Sequence, residues 1–233
     1  MKYLIIIMPL IGTIIGAISV FFINKNSTKL TQIAFGMSAG VMLVASFLSL
    51  IIPSIELSKH FWFPPTFGIL LGIFIILSLD LKINKKNNCS NIIIVIAIIL
   101  HNVPEGIATG VGLAGSISNI ISIKQAFTLS LAITLHNIPE GIVVALMNSN
   151  DKKKAIKYGI ISGIVEPISA IITTLITHKI TFLMPYLFAL AGGAMIYVVV
   201  DELIPKSKGN NKIGLISFTI GFIIMLLLEL SLS

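Results

Sequence analysis

Arginine is absent from this 233-residue chain, and charged residues of all kinds make up only 11% of it. A soluble domain carries about 25%. Cysteine occurs once, at Cys89, which excludes an intrachain disulfide framework and a multi-cysteine zinc site. No nucleotide-binding loop is present, which excludes ATP-driven pumping by this chain alone, and the zinc-protease motif HExxH is missing too. Long hydrophilic segments are also missing. The most polar connector is KINKKNNCS at 82–90, and no loop is long enough to form a separate domain.

What is there is apolar: 56% of the residues are hydrophobic and the mean hydropathy is +1.04. Apolar stretches of about 20 residues, the length that crosses a bilayer, recur along the chain. We read eight spans, at 3–23, 30–52, 62–81, 91–114, 123–147, 155–177, 182–204 and 213–231. The expected fold class is therefore all-α, a single polytopic membrane domain over 1–233 with the lipid bilayer as its main surroundings. The first run, from Tyr3, matches the later ones in length and reads as a span, not a cleaved signal peptide.

The net charge of +7 would point to nucleic acid in a soluble protein. Here it orients the chain, and no nucleic-acid partner is expected. Lys25, Lys29, Lys82, Lys85, Lys86, Lys152, Lys153, Lys154, Lys157, Lys206, Lys208 and Lys212 fall in alternate loops; only Lys2, Lys59, Lys124 and Lys179 fall on the other side. Lysine-rich loops stay cytoplasmic, so both termini are predicted outside.

Against this background one heptapeptide stands out. LHNVPEG at 100–106 has a near copy, LHNIPEG, at 135–141, each inside a long apolar run. An ionised side chain at the bilayer centre costs about 2.5–3.5 kcal/mol on insertion scales, so such groups need a reason. At ~100° per residue, Glu105 falls between His101 and Asn102 on the helix surface. It can share one ion with His101 and a second with Asn102. His136, Asn137 and Glu140 repeat the arrangement on the next span. Both motifs land near mid-depth, and antiparallel helices can present them face to face. Pro104 and Pro139 deprive the carbonyls of Leu100 and Leu135 of their helical partners. Gly106 and Gly141 permit close helix approach.

A third buried acid, Glu166 in SGIVEP, sits at similar depth on the sixth span. A divalent cation offsets the cost of three carboxylates in apolar surroundings. Imidazole, carboxylate and amide oxygen suit zinc, iron, manganese, cobalt or cadmium; copper(I) prefers sulfur and calcium an all-oxygen cage. The candidate metal ligands are thus His101, Asn102, Glu105, His136, Asn137, Glu140 and Glu166. Met42, Asp201 and Glu202 are candidate pathway residues, each with a plainer reading: Met42 as core filler, and the acidic pair as interfacial charges near Lys206. No catalytic residue is expected, and the ion is cargo, not a resident cofactor.

There is a weaker repeat. AGVMLVASFLSLIIP (39–53) aligns without gaps to AGGAMIYVVVDELIP (191–205), on spans that run in opposite directions. Inverted pairing of this kind accompanies transporter folds with a midplane site.

The twin HNxPEG motifs followed by SGIVEP resemble the ZIP (Zrt/Irt-like protein) family of divalent metal transporters, best its bacterial ZupT-like branch. The resemblance covers nearly the whole chain. It implies a binuclear centre with one site from His101, Glu105, His136 and Glu140. The other uses Asn102, Asn137 and Glu166 and shares Glu105 and Glu140. It further implies uptake into the cytoplasm across a prokaryotic inner membrane, an inverted three-plus-two-plus-three helix arrangement, homodimers and an elevator-like movement. Zinc is the first ion to expect. Many relatives carry a histidine-rich loop between spans 3 and 4, whereas 82–90 has no histidine, so metal sensing by that loop is not expected.

Two other functions fit part of the pattern. An intramembrane metalloenzyme would also place His and Glu on facing helices, but needs no inverted repeat. A proton or sodium pathway would use the carboxylates, but leaves two His and two Asn unexplained.

Overall fold

The computed structural model describes residues 2–22, 28–59, 61–84, 91–147, 151–177, 181–209 and 211–232, excepting the side chains of 82–84, 91–101, 143, 146, 147, 181 and 232. Among the described residues every regular element is helical: α1 (Lys2–Ile18), α2 (Thr28–Ala45), α3 (Ile52–Leu57), α4 (Phe63–Asn84), α5 (Asn91–Ile117), α6 (Ile123–Met147), α7 (Lys152–Gly163), α8 (Val165–Thr177), α9 (Met184–Val198), α10 (Ile204–Ser207) and α11 (Ile213–Leu232).

Prolines mark three of the breaks, those that fall inside otherwise continuous helical stretches. Pro53 and Pro205 lack the N–H that would bond the carbonyls of Ser49 and Asp201, and each is preceded by a π-helical turn, at Ser46–Ile51 and Val199–Leu203. These turns join α2 to α3 and α9 to α10 without a loop. They also occupy corresponding places in the weaker sequence repeat, where 46–51 aligns with 198–203. Between α7 and α8 the helix breaks at Ile164, three residues before Pro167. This puts Glu166 in the first turn of α8, where the unpaired N–H groups of a helix start favour a carboxylate.

Among the described residues, six segments are long and apolar enough to cross a membrane: Lys2–Phe21, Thr28–Leu57, Phe63–Leu81, Lys152–Thr177, Met184–Ser207 and Ile213–Ser231. α5 and α6 have 27 and 25 residues, and each includes residues whose side chains lie outside the described set. α4 and α11 carry exposed Leu70, Phe74, Leu215 and Leu227. Phe61, Trp62, Phe63 and Phe67 stack at one end of α4, the composition of an interfacial aromatic anchor.

The main helix partnerships are α1 with α6, α5 with α8, α2 with α11 and α4 with α9. Each carries one Gly-xxx-Gly pair, at Gly12/Gly16, Gly106/Gly110, Gly36/Gly40 and Gly68/Gly72. Small residues let backbones touch where lipid supplies no hydrophobic drive. The principal core gathers Ala39, Met42, Leu50, Val111, Ile133, Phe188, Met195 and Val198. It packs α2, α5, α6 and α9 together, next to the motif-bearing turns.

Candidate metal centre

The centre is built on α5, α6 and α8, with α1 against its side. Pro104 and Pro139 lie within continuous helices, so each motif stays in register through its proline. Asn102, Glu105, His136 and Asn137 are fully buried, and Glu166 is 1% exposed. Glu140 is partly buried.

Two groups of side chains form. In the first, one ligand atom each from Glu105, His136 and Glu140 lies within 4.8 Å of the others. His136 Nε2 stands 2.9 Å from Glu105 Oε1, but without the alignment of a hydrogen bond. Both oxygens of Glu105, both ring nitrogens of His136 and Glu140 Oε1 are buried without a hydrogen-bond partner. Buried polar atoms normally have partners. One unpartnered atom from each of the three residues converges here, as a cation would require. A tetrahedral zinc with ~2.0–2.1 Å bonds spaces its ligands about 3.3 Å apart, so modest side-chain shifts close this group on an ion. The side chain of His101 lies outside the described residues.

The second group surrounds Glu166. Asn137 Nδ2 lies 2.9 and 2.8 Å from its two oxygens, and Asn102 Nδ2 lies 3.2 Å from Oε1. The asparagines reach further. Asn102 Nδ2 donates to the carbonyl of Ser162 at 3.0 Å, and Asn137 Nδ2 to that of Pro9 at 3.1 Å. Thr13 Oγ1 lies 3.4 Å from Glu166 Oε1. The amide nitrogens thus tie helices together, while Asn102 Oδ1 and Asn137 Oδ1 stay buried and unpartnered, free to ligate. Hydrogen bonding by the amide nitrogens thus leaves the two amide oxygens uncommitted. The three glutamates lie within Coulombic range of one another.

Sequence reasoning missed Pro9 and Thr13. Their only signal was a proline and a threonine inside the first apolar run, and neither residue is rare in membrane helices.

The motif glycines do different work from a shared α5–α6 contact. A Cβ on Gly106 would strike the Glu166 carbonyl and Ser169 of α8; one on Gly141 would strike the Thr13 carbonyl and Gly16 of α1. Each motif is thereby pressed against a helix outside the motif pair.

The other candidates are not among the residues of these two groups. Met42 is 2% exposed in the main core, with Ser38 Oγ 3.9 Å from its sulfur. Asp201 and Glu202 lie in the second π-helical turn, where Glu202 Oε2 pairs with Lys206 Nζ at 2.6 Å. Glu202 is also within Coulombic range of Glu140. Elsewhere, Glu56 and Glu229 line a cavity of about 370 Å³ beside Ser49 and Gln125, and Ser49 donates a hydrogen bond to Glu229.

Comparison with known proteins agrees with this geometry. The family model described as ZIP zinc transporter matches residues 82–229. Zinc transporter ZIP11 of Xenopus tropicalis is 42% identical over 147 residues, covering 60% of this chain and 44% of that protein. The human ZIP11 is 40% identical over 147 residues, 60% of this chain and 43% of its own length. The chain therefore matches less than half the length of those relatives. Likeness along nearly the full length is to zinc transporter ZupT of Akkermansia muciniphila, 28% identical over 252 residues, 92% of this chain and 91% of that protein. All three are named as transporters, not enzymes.

Proposed function

This chain belongs to the ZIP zinc transporter family, and we propose that it takes up divalent transition-metal ions through the buried centre on α5, α6 and α8. One observation carries the reading: the convergence of unpartnered Glu105, His136 and Glu140 atoms within 4.8 Å. Zinc is the expected cargo, since zinc is the ion named for the relatives, and iron, manganese, cobalt and cadmium suit the same donors.

The centre is binuclear in this proposal. His101, Glu105, His136 and Glu140 hold one ion. Asn102, Asn137 and Glu166 hold the second, sharing Glu105 and Glu140. Ligands must be deprotonated to bind metal, so each ion displaces protons from the carboxylates and imidazoles it uses. The ion meets Glu56 and Glu229 on the outer side, loses water at the centre, and leaves past Glu202 and Asp201 to the cytoplasm. Met42 has its simplest role as packing beside this path.

The architecture proposed is one transmembrane domain of eight spans, with α5 and α6 joining the six apolar segments and both termini outside. The helix partnerships support the inverted three-plus-two-plus-three arrangement. Exchanging α5 with α6, α1 with α7–α8, α2 with α9 and α4 with α11 turns each partnership into another of the same set. An elevator-like movement of the central helices, a prokaryotic cytoplasmic membrane and a homodimer complete the proposal.

The test is zinc uptake into proteoliposomes by the wild type and by Glu105→Ala/Glu140→Ala, with iron, manganese and cadmium as competitors. Uptake by the wild type alone is expected. Stoichiometric zinc binding with no uptake of any ion would overturn transport and turn attention to metal-dependent chemistry.

A further inference from the structure

The two asparagines of the centre make parallel contacts on either side. Asn102 on α5 donates to the carbonyl of Ser162, and Glu166 follows four residues later. Asn137 on α6 donates to the carbonyl of Pro9, and Thr13 follows four residues later. The motif glycines extend the match. Gly106 abuts the Glu166 carbonyl and Ser169, while Gly141 abuts the Thr13 carbonyl and Gly16. All of these pairs obey one register, in which residue n of α1 corresponds to n + 153. In that register Ile11, Ile15, Ala17 and Ile18 are identical to Ile164, Ile168, Ala170 and Ile171. No sequence motif marks this likeness.

We propose that Thr13 is the α1 counterpart of Glu166 and a positioning residue for the centre, its hydroxyl fixing the Glu166 carboxylate so that the second ion is held. The proposal rests on the metal-transport reading above.

Thr13 is fully buried, and its Oγ1 stands 3.4 Å from both Pro9 O and Glu166 Oε1. A hydroxyl has one proton and two acceptor sites. It can donate to Glu166 while that carboxylate is charged, or turn to Pro9 when the carboxylate is engaged otherwise. The Pro9 carbonyl is also the acceptor for Asn137, whose amide reaches both Glu166 oxygens. Thr13, Pro9, Asn137 and Glu166 therefore share one hydrogen-bonding set, in which the Thr13 hydroxyl donates to one acceptor at a time. Within it Thr13 touches Glu166 and stands outside the proposed ligands. The register also shows where the two halves of the centre differ. A carboxylate stands on the α8 side and a neutral hydroxyl on the α1 side. The centre thus carries three carboxyl groups instead of four.

α1 is anchored at this place. Pro9 leaves the carbonyl of Ile5 without its helical partner, and Ser130 Oγ of α6 donates to that carbonyl at 2.6 Å. The hydroxyl of Thr13 is thereby carried on a helix fixed to α6 both above and below the centre.

The experiment measures zinc affinity by calorimetry, zinc-induced thermal stabilisation, and the KM and kcat of uptake. It compares the wild type with Thr13→Val, Thr13→Ala, Thr13→Ser and Glu166→Gln in the full chain. Both hydroxyl-free variants should bind zinc about five-fold more weakly, the size of one long, modest hydrogen bond, with KM raised in proportion and metal-free melting near that of the wild type. Thr13→Ser should restore wild-type affinity. Glu166→Gln should lose the second ion. If Thr13→Val and Thr13→Ala both bind within two-fold of the wild type while Glu166→Gln does not, the positioning role is overturned. If Glu166→Gln also binds like the wild type, the metal reading of this site fails, and the role of Thr13 fails with it.

Discussion

His136 Nε2 on α6 lies 2.9 Å from Glu105 Oε1 on α5, both side chains fully or nearly fully buried and neither atom aligned for a hydrogen bond. Two polar groups are held together by the packing of two helices, not by their own bond. A cation shared between them would satisfy both atoms, and this sets the first expectation. Glu105→Gln should abolish zinc-induced stabilisation while raising the metal-free melting temperature by on the order of 2–4 °C, because a buried carboxylate is removed from beside Glu140 and Glu166. Thermal unfolding in detergent, with and without zinc, checks it. An unchanged zinc response would remove Glu105 from the centre.

Chelation should act on the wild type in the opposite sense. An ion present at a hundred times its dissociation constant stabilises the native state by about 2.7 kcal/mol. Stripping bound zinc with a membrane-impermeant chelator should therefore lower the melting temperature, and restoring zinc should recover it.

Asn137 serves Pro9 and both oxygens of Glu166 through a single nitrogen. Asn137→Leu would leave these acceptors buried with one donor fewer, at a cost of about 1–3 kcal/mol or more for the charged group. Denaturant or thermal unfolding should register that loss. Asn137→Asp should be worse, since it sets a like charge against Glu166. Recovery of Asn137→Asp by added zinc would show that the new carboxylate ligates.

Gly141 gives a packing prediction. A methyl group there would meet the Thr13 carbonyl and the backbone of Gly16, so α1 and α6 must separate. Gly141→Ala should destabilise by about 1–3 kcal/mol and slow uptake, because Pro9 and Thr13 would move with α1. Wild-type uptake at wild-type stability would show that α1 has no part in shaping the centre.

Glu202 separates stability from transport. Its pair with Lys206 is partly exposed, and such pairs contribute about 0–1 kcal/mol. Glu202→Gln should barely change melting. If the ion leaves past this residue, kcat of uptake should fall with little change in KM. Unchanged kinetics would exclude Glu202 from the exit path.

Much of this was legible in the residues themselves. His, Asn and Glu inside apolar helices are costly, and repetition at one spacing 35 positions apart leaves few explanations. The all-helical class followed from apolar length alone. The 39–53 and 191–205 likeness was weak on its face, yet both segments carry a π-helical turn before the shared Ile-Pro. Other features were not legible. Pro9 and Thr13 approach the centre from more than a hundred residues away, through a backbone carbonyl and a common hydroxyl. The Gly-xxx-Gly pairs were visible as spacings, but a spacing does not name its partner helix.

The sequence by itself determined that this chain is a bundle of apolar helices and that two of them carry a matched set of His, Asn and Glu side chains. Both conclusions follow from local chemistry: apolar run length, and the cost of polar groups away from water. Only the tertiary structure decided which atom of each asparagine ties helices and which is left open. It also brought Glu166 between both asparagines and made α1 a wall of the centre. Those outcomes depend on how closely backbones approach at Gly106 and Gly141, and that distance is a property of helix pairs, not of any one helix.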